Sequence, residues 1–176
     1  MRYLLLVFLI PALLNAYPRM VLGELFTSST CGPCYNANNY LDELYPEIPE
    51  RVVLIRYHVW WPAPGDPFYE ANVEQNRTRT NFYGINSVPS LVIDGVESES
   101  GYSGWESELL DRAGISSPAE LILQFPEFGL ANITINTTAD FPEGDKLLYL
   151  VITEDSIHYH ASNGQTIFHQ VMRYIF

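Results

Sequence analysis

The stretch Cys31-Gly32-Pro33-Cys34 decides the fold because of what stands on either side of it. A short apolar run, residues 21–26, precedes it and is consistent with a strand. Residues 35–44 follow it with apolar side chains at helical spacing. The cysteine pair therefore lies at a predicted junction between a strand and a helix.

This position predicts different roles for the two thiols. Unpaired backbone N–H groups and the helix dipole favour an anion at a helix N-terminus, so Cys31 is expected to be a reactive thiolate. Cys34, one turn further on the same face, can attack a mixed disulfide held by Cys31. Gly32 permits close approach of a substrate backbone, and Pro33 fixes the turn into the helix.

Two other interpretations of the cysteine pair stay open at this point. A metal site would need further ligands, and the sequence has no second cysteine pair. A static disulfide across so short a loop would add little stability, because the entropic gain falls with loop size. Both interpretations are weaker than a redox site.

Val88-Pro89 supports the redox interpretation. It precedes a predicted strand, residues 89–93, and a proline there can hold a cis peptide bond. The other interpretation is a trans proline that opens an edge strand. Asp94-Gly95 then predicts a two-residue hairpin turn.

The surrounding elements predict one α/β domain over residues 17–115. Residues 51–58 form the clearest strand, apolar on both faces near its middle. A helix is predicted from Asp66-Pro67 to about Tyr83, closed by Gly84, and a short helix over residues 105–113. The order β-α-β-α-β-β-α implies a mixed sheet with helices on both faces.

Residues 116–176 have a different pattern, with strand-like runs and no helical period. The runs cover residues 119–125, 130–138, 146–153 and 166–175, with turn residues between them. These four strands predict a small all-β, sandwich-like domain. Since they leave open sheet edges and end within an apolar run, we expect this domain to be incomplete. The alternative is a terminal strand that simply completes a small sheet.

Residues 1–16 have the pattern of a secretory signal peptide: Arg2, an apolar run over residues 4–14, and Ala16 before the predicted cleavage. The run is shorter than the ~20 residues of a spanning helix, so no transmembrane segment is expected after cleavage. The sequence thus predicts an exported protein that is periplasmic, associated with an outer membrane or cell surface, or secreted, where disulfides persist.

The composition limits the classes of partner that the protein is expected to bind. With 21 acidic against 9 basic residues and a net charge of −12, the chain lacks the positive footprint of a nucleic-acid binder. Its 47% hydrophobic residues are typical of a globular protein and argue against disorder.

Over residues 20–114 the sequence resembles the thioredoxin superfamily. Phe26, the Cys31–Cys34 motif, the strand Val52–Tyr57 and the stretch Ser87–Gly95 carry the resemblance, in the family's order. It implies a thioredoxin-like α/β domain, followed here by the all-β domain. His58, Asp66-Pro67 and the β-rich tail most resemble a secreted, outer-membrane-protein-related branch with a C-terminal β-domain.

The resemblance also implies the roles of the site residues. Cys31 is the attacking thiol, Cys34 the resolving thiol, and Pro89 the cis-proline that packs over the disulfide. The backbone of Val88 pairs with a substrate strand. The implied redox group is the Cys31–Cys34 disulfide itself, and neither another cofactor nor a metal is expected.

Two positions depart from the thioredoxin pattern. Leu25 stands where thioredoxins carry a buried acid that assists proton transfer from the resolving thiol. Glu24 is its neighbour, but alternation along a strand points it to the other face. Thr30 replaces the tryptophan that commonly precedes the first cysteine.

The sequence therefore predicts a secreted thiol–disulfide oxidoreductase with protein thiol or disulfide substrates and an electron-transfer partner that is not identified. The alternative is a non-catalytic binding module at the cell surface or in the periplasm, with the thioredoxin fold as a scaffold.

Two further features have a functional and a structural interpretation. The aromatic, proline-rich stretch Trp60–Tyr69 could bind extended chains, but packing on its own domain is favoured. His158, His160 and His169 could form an open zinc site, but half-exposed strand residues are favoured.

Overall fold

The computed structural model of the protein describes residues 17–48, 50–138 and 144–176, so the predicted signal peptide lies outside the described residues. The helices are α1 (Gly32–Leu44), α2 (Pro67–Ala71), α3 (Val73–Tyr83) and α4 (Trp105–Ala113). The strands are β1 (Val21–Thr27), β2 (Val52–His58), β3 (Ser90–Ile93), β4 (Val96–Glu97), β5 (Ala119–Glu127), β6 (Leu130–Thr137), β7 (Val151–Glu154), β8 (Ile157–His158), β9 (Ile167–Phe168) and β10 (Val171–Ile175).

The main sheet is mixed and has the strand order β4-β3-β1-β2-β10-β7. Its centre is the parallel pair β1–β2, in which Leu25 lies beside Arg56 and Thr27 beside His58. β3 runs antiparallel to β1, and β4 follows β3 through the turn at Asp94 and Gly95, both with positive φ. The mixed sheet and this hairpin confirm the sequence-based prediction.

Apolar clusters cover both faces of the sheet because β1 and β2 send apolar side chains to each of its sides. The α1-side core joins Leu25 of β1 and Leu54 of β2 to Leu41 of α1 and Leu109 of α4. The opposite core joins Phe26 and Tyr57 and receives Tyr83 at the end of α3. Helices therefore lie on both faces, as predicted.

The helix predicted over residues 66–83 is divided in two at Asn72. The Asn72 backbone leaves the helical region (φ −152°, ψ 72°), and its side-chain oxygen accepts a hydrogen bond from the Gln75 N–H. An asparagine that caps a new helix in this way ends the preceding one. The predicted boundaries hold: Asp66 caps α2, and Gly84 closes α3 with φ 67°.

The C-terminal segment differs from the predicted domain division. The chain forms two compact units, and one boundary between them lies at Ile115/Ser116. However, residues 144–176 belong to the same unit as residues 19–115, not to the unit that holds the β5–β6 hairpin. β10 pairs with β2, where Val171 lies opposite Arg56, and β7 pairs with β10.

Burial explains why β10 joins the main sheet. Phe168, Val171 and Met172 are each 1% exposed, and Met172 packs in the opposite core. Met172 thus adds to the opposite core, whereas Phe168 and Val171 pack with Phe68 in a separate cluster. The predicted strands are only partly present: the one over residues 146–153 begins at Val151, and the one over residues 166–175 is divided into β9 and β10.

The β5–β6 hairpin, with the bridge between Tyr17 and Ser117, forms the other unit. Its register places Leu121 opposite Ile135 and Leu123 opposite Ile133 on the same face, and it shifts between Gln124 and Glu127. Within the described part of the chain, no helix is long and apolar enough to cross a membrane.

Candidate redox site

Cys31 and Cys34 form a disulfide at the first turn of α1, with their Cα atoms 5.3 Å apart. Cys31 is the N-cap residue, and its Sγ accepts a hydrogen bond from the Cys34 N–H at 3.2 Å. Both cysteines are buried, whereas Gly32 and Pro33 between them are exposed. The disulfide thus lies just below the surface, and the Gly-Pro turn is the part that another chain can reach.

The loop before β3 lies against this disulfide. The Val88–Pro89 peptide bond is cis, as the sequence predicts. The Val88 carbonyl oxygen lies 3.7 Å from the Sγ of Cys31, and both Val88 and Pro89 are half-buried. The six predicted site residues therefore come together at one place, from α1 and from the loop that leads into β3.

A second set of contacts, which sequence reasoning did not identify, holds the segment before the cysteines. We call Ser28–Cys31 the redox loop. The Ser29 N–H donates to Oδ2 of Asp66 at 2.7 Å, and His58 Nδ1 lies 2.8 Å from the same oxygen. Asp66 and His58 are both 1% exposed, so this contact is removed from solvent.

The other oxygen of Asp66 caps α2. Its Oδ1 accepts hydrogen bonds from the Phe68 and Tyr69 N–H groups at 2.9 and 3.1 Å. Burial alone would raise the pKa of Asp66, but the charge and hydrogen bond of His58 and the backbone donors lower it to about 2. Asp66 is therefore an anion throughout the neutral range.

The segment between β8 and β9 covers the other side of the redox loop. Asn163 Nδ2 donates to the carbonyl oxygens of Cys31 and Ser28 at 3.1 and 3.3 Å, and the Asn163 N–H donates to the Ser29 carbonyl oxygen at 3.2 Å. No local signal in the sequence could have indicated this contact, because more than a hundred residues separate its partners.

A buried polar layer lies under the first turns of α1. Asn38, one turn after Cys34, donates from Nδ2 to Thr27 Oγ1 at 2.9 Å and to Gln165 Oε1 at 3.1 Å. Leu25 is fully buried on the same face of the sheet, in the α1-side core. Within β1, the one carboxylate is that of Glu24, which faces the other side and binds Arg79, as alternation predicts.

The aromatic loop after β2 agrees with the packing interpretation. Trp60 and Trp61 are half-buried and pack against the opposite core, with their ring centroids 4.4 Å apart. Beyond them the loop reaches the redox loop, where Thr30 Oγ1 donates to the Ala63 carbonyl oxygen at 3.0 Å. Pro62–Gly65 are exposed beside the cysteines.

The histidines of the C-terminal segment do not come together. His158 and His160 are exposed, and His169 pairs with Asp155 at 2.9 Å. Across the described ranges, no group of three or more His, Cys, Asp or Glu side chains could hold a metal ion.

Among known proteins, only solved structures in the comparisons resemble this chain. No protein-family model matches the sequence, and no curated protein does. Among solved structures, HBP35 of Porphyromonas gingivalis matches with a TM-score of 0.70 and 18% identity, over 91% of this chain and 57% of its own. The chain thus spans little more than half the length of that protein.

Two further solved structures are also similar to this chain. Protein AGR_C_4864 from Agrobacterium tumefaciens matches with a TM-score of 0.61 and 19% identity, over 92% of this chain and 72% of its own. Tryparedoxin II from C. fasciculata covers 51% of this chain and 70% of its own at 16% identity, with a TM-score of 0.40, which is too low to carry an argument.

At these identities the matches inform on fold alone. The mixed sheet, the helices on both faces, the Cys-x-x-Cys disulfide at the start of α1 and the cis-proline before β3 together make the fold thioredoxin-like, with additional β-strands. This confirms the predicted fold class.

Proposed function

We propose that the protein is an exported thiol–disulfide oxidoreductase that exchanges disulfides with protein substrates through Cys31 and Cys34. The observation that carries this proposal is the environment of the Cys31 Sγ. It accepts the Cys34 N–H at the start of α1 and lies 3.7 Å from the Val88 carbonyl oxygen, next to the cis-proline. A thiolate at this position would be stabilised by the helix N-terminus.

The reaction in the reducing direction has two exchange steps. The Cys31 thiolate attacks one sulfur of a substrate disulfide, forming a mixed disulfide and releasing the other substrate sulfur as a thiolate. Cys34 loses its proton and attacks the Cys31 Sγ, which releases the second substrate thiolate and closes the Cys31–Cys34 disulfide. The substrate gains two electrons and two protons, and the protein dithiol loses them.

A dithiol electron donor must then reduce the Cys31–Cys34 disulfide for another turnover. The opposite direction, oxidation of a substrate dithiol, uses the same steps in reverse, and the reduction potential decides between them. The predicted signal peptide supports a location outside the cytosol. The resemblance to the outer-membrane-related branch supports association with an outer membrane or cell surface.

Insulin reduction with dithiothreitol as the electron donor tests this proposal. We expect the wild type to accelerate the reaction, C31S to return it to the uncatalysed rate, and C34S to accumulate a mixed disulfide visible by mass spectrometry. F128A is the matched control, because Phe128 is fully exposed in the turn between β5 and β6 and should leave the rate unchanged. A wild type no faster than C31S would reject the proposal.

A second candidate, a non-catalytic binding module, is favoured by one observation. Leu25 is fully buried where thioredoxins carry the acid that helps the resolving thiol to lose its proton. Loss of partner binding on deletion of the β5–β6 hairpin, with no effect of C31S on that binding, would support this candidate.

A further inference from the structure

We propose that Asp66, held by His58, positions the redox loop and thereby sets the reduction potential of the Cys31–Cys34 disulfide. This inference rests on the proposed function, because it concerns the same site. Asp66 does not touch the cysteine sulfurs in the structure, so its role is to fix the main chain that carries Cys31 and not to react.

The two carboxylate oxygens of Asp66 bind different parts of the structure. Oδ1 serves α2 through the Phe68 and Tyr69 N–H groups. Oδ2 serves the redox loop through the Ser29 N–H at 2.7 Å and also receives His58 at 2.8 Å. One buried carboxylate therefore fixes the redox loop relative to β2 and α2.

The chain between Ser29, which Asp66 binds, and Cys31 is short. Ser29 lies two residues before Cys31, and the Cys31 N–H itself donates to the Ser28 carbonyl oxygen at 3.1 Å. The redox loop is thus a tight turn whose N-terminal half is held by Asp66 and whose carbonyl groups are held by Asn163. A shift of Ser29 must move Cys31 relative to Cys34.

Loss of the Asp66 carboxylate should change the reduction potential in one direction. A fixed redox loop keeps Cys31 and Cys34 close, which favours the disulfide, so a looser loop favours the dithiol. The buried Asp66 anion, which binds the N–H of Ser29 two residues before Cys31, also opposes a Cys31 thiolate, so its removal favours the reduced protein. Both consequences of losing the Asp66 carboxylate raise the reduction potential.

Three variants separate an effect on the redox loop from an effect on stability. D66N keeps an oxygen for the cap of α2, since Asn caps helices as well as Asp, but presents an NH2 group to Ser29. D66A loses the cap as well. D94N is the matched control: Asp94 Oδ1 also accepts a backbone N–H, that of Leu22 at 2.9 Å, but at the opposite end of β1 from the disulfide.

The experiment is equilibration of the full chain with a dithiothreitol or glutathione series, alongside urea unfolding. We expect D66N and D66A to destabilise the disulfide by the same factor, about three- to tenfold, or ~15–30 mV. We expect D66A to unfold more easily than D66N, and D94N to lose stability with an unchanged potential. A potential that follows stability across the three variants would instead indicate a merely structural role and overturn the inference.

Two outcomes separate this inference from the proposed function. A wild type that does not reduce insulin, with a shifted potential in D66N, rejects the function and keeps the positioning role. An active wild type with an unchanged D66N potential keeps the proposed function and rejects the positioning role. If D66N does not fold, H58F carries the test, because it keeps the carboxylate and removes its imidazole support; an unshifted potential in H58F would then reject the proposal.

Discussion

Glu24 and Leu25 are neighbours on β1 and face opposite sides of the sheet. Leu25 is fully buried in the α1-side core, the side that carries the helix of the cysteines. Glu24, 1% exposed, is bound by Arg79 through two hydrogen bonds of 2.7 and 2.9 Å and by the Tyr83 hydroxyl at 2.6 Å. The carboxylate of Glu24 therefore belongs to a structural ion pair, and the side of β1 that faces α1 carries no acid.

This arrangement predicts that L25D will accelerate the resolving step of thiol exchange. A carboxyl group on the α1 side could accept the proton of Cys34, and burial would raise the pKa of that carboxyl towards neutrality. The measurement is the rate at which Cys34 releases a thiol from a mixed disulfide formed on Cys31. L25N has nearly the same shape and no proton-accepting carboxylate.

Both substitutions should cost about 2–5 kcal/mol of stability, because a buried leucine is replaced by a smaller polar group. The comparison between L25D and L25N therefore removes the packing effect. Equal release rates in the two variants would contradict the prediction.

The Glu24–Arg79 pair predicts a large and specific stability loss. R79M leaves the Glu24 carboxylate buried without its cation, which should cost about 3–5 kcal/mol. The double variant E24M/R79M should recover most of that loss, because an apolar pair replaces the charges together. Urea unfolding of the three proteins measures both effects.

R112M is the comparison for this pair. Arg112 binds Asp94 at 2.9 Å from a side chain that is 37% exposed, so its loss should cost less than about 1 kcal/mol. A similar cost for R79M and R112M would show that the burial of Glu24 is not what makes its ion pair important.

The site could be predicted from sequence where its signals are local. The position of the cysteine pair between a strand and a helix, the cap residue Asp66 and the turn at Asp94-Gly95 are each set by neighbouring residues. Each of these features is present in the structure. Local patterns also identified β10 as a strand.

What the sequence could not provide is the partner of each element. An apolar strand has the same alternation whether it joins its own sheet or completes another, so the pairing of Val171 with Arg56 had no local signal. The Asp66–Ser29 hydrogen bond is similar: the capping role was recognisable, but the second oxygen reaches a loop 37 residues away.

Asp66 predicts an acid-sensitive component of stability. Its pKa in the folded protein is lowered from 3.8 to about 2, so its stabilising effect is complete above about pH 4 and is lost as the pH falls towards 2. The size of this component is about 2–3 kcal/mol. The measurement is the free energy of unfolding of wild type and D66N between pH 7 and pH 2.

The two unfolding curves should converge as the pH falls through this window, because D66N has no proton to gain at that position. Curves that stay parallel between pH 4 and pH 2 would mean that the carboxylate is not stabilised by its buried partners.

The place of β10 in the main sheet leads to the last prediction. Met172 is 1% exposed in the opposite core, whereas Leu123 of the β5–β6 hairpin is 47% exposed. All three tryptophans, at positions 60, 61 and 105, lie in the unit that contains β10, so tryptophan fluorescence follows the unfolding of that unit. M172A should lower the free energy of unfolding of the tryptophan-containing unit by about 2–5 kcal/mol. L123A should lower it by less than about 0.5 kcal/mol. If residues 116–176 instead formed a domain of their own, M172A would leave the tryptophan transition in place, because the cavity it creates would lie outside the sheet that the tryptophans report on.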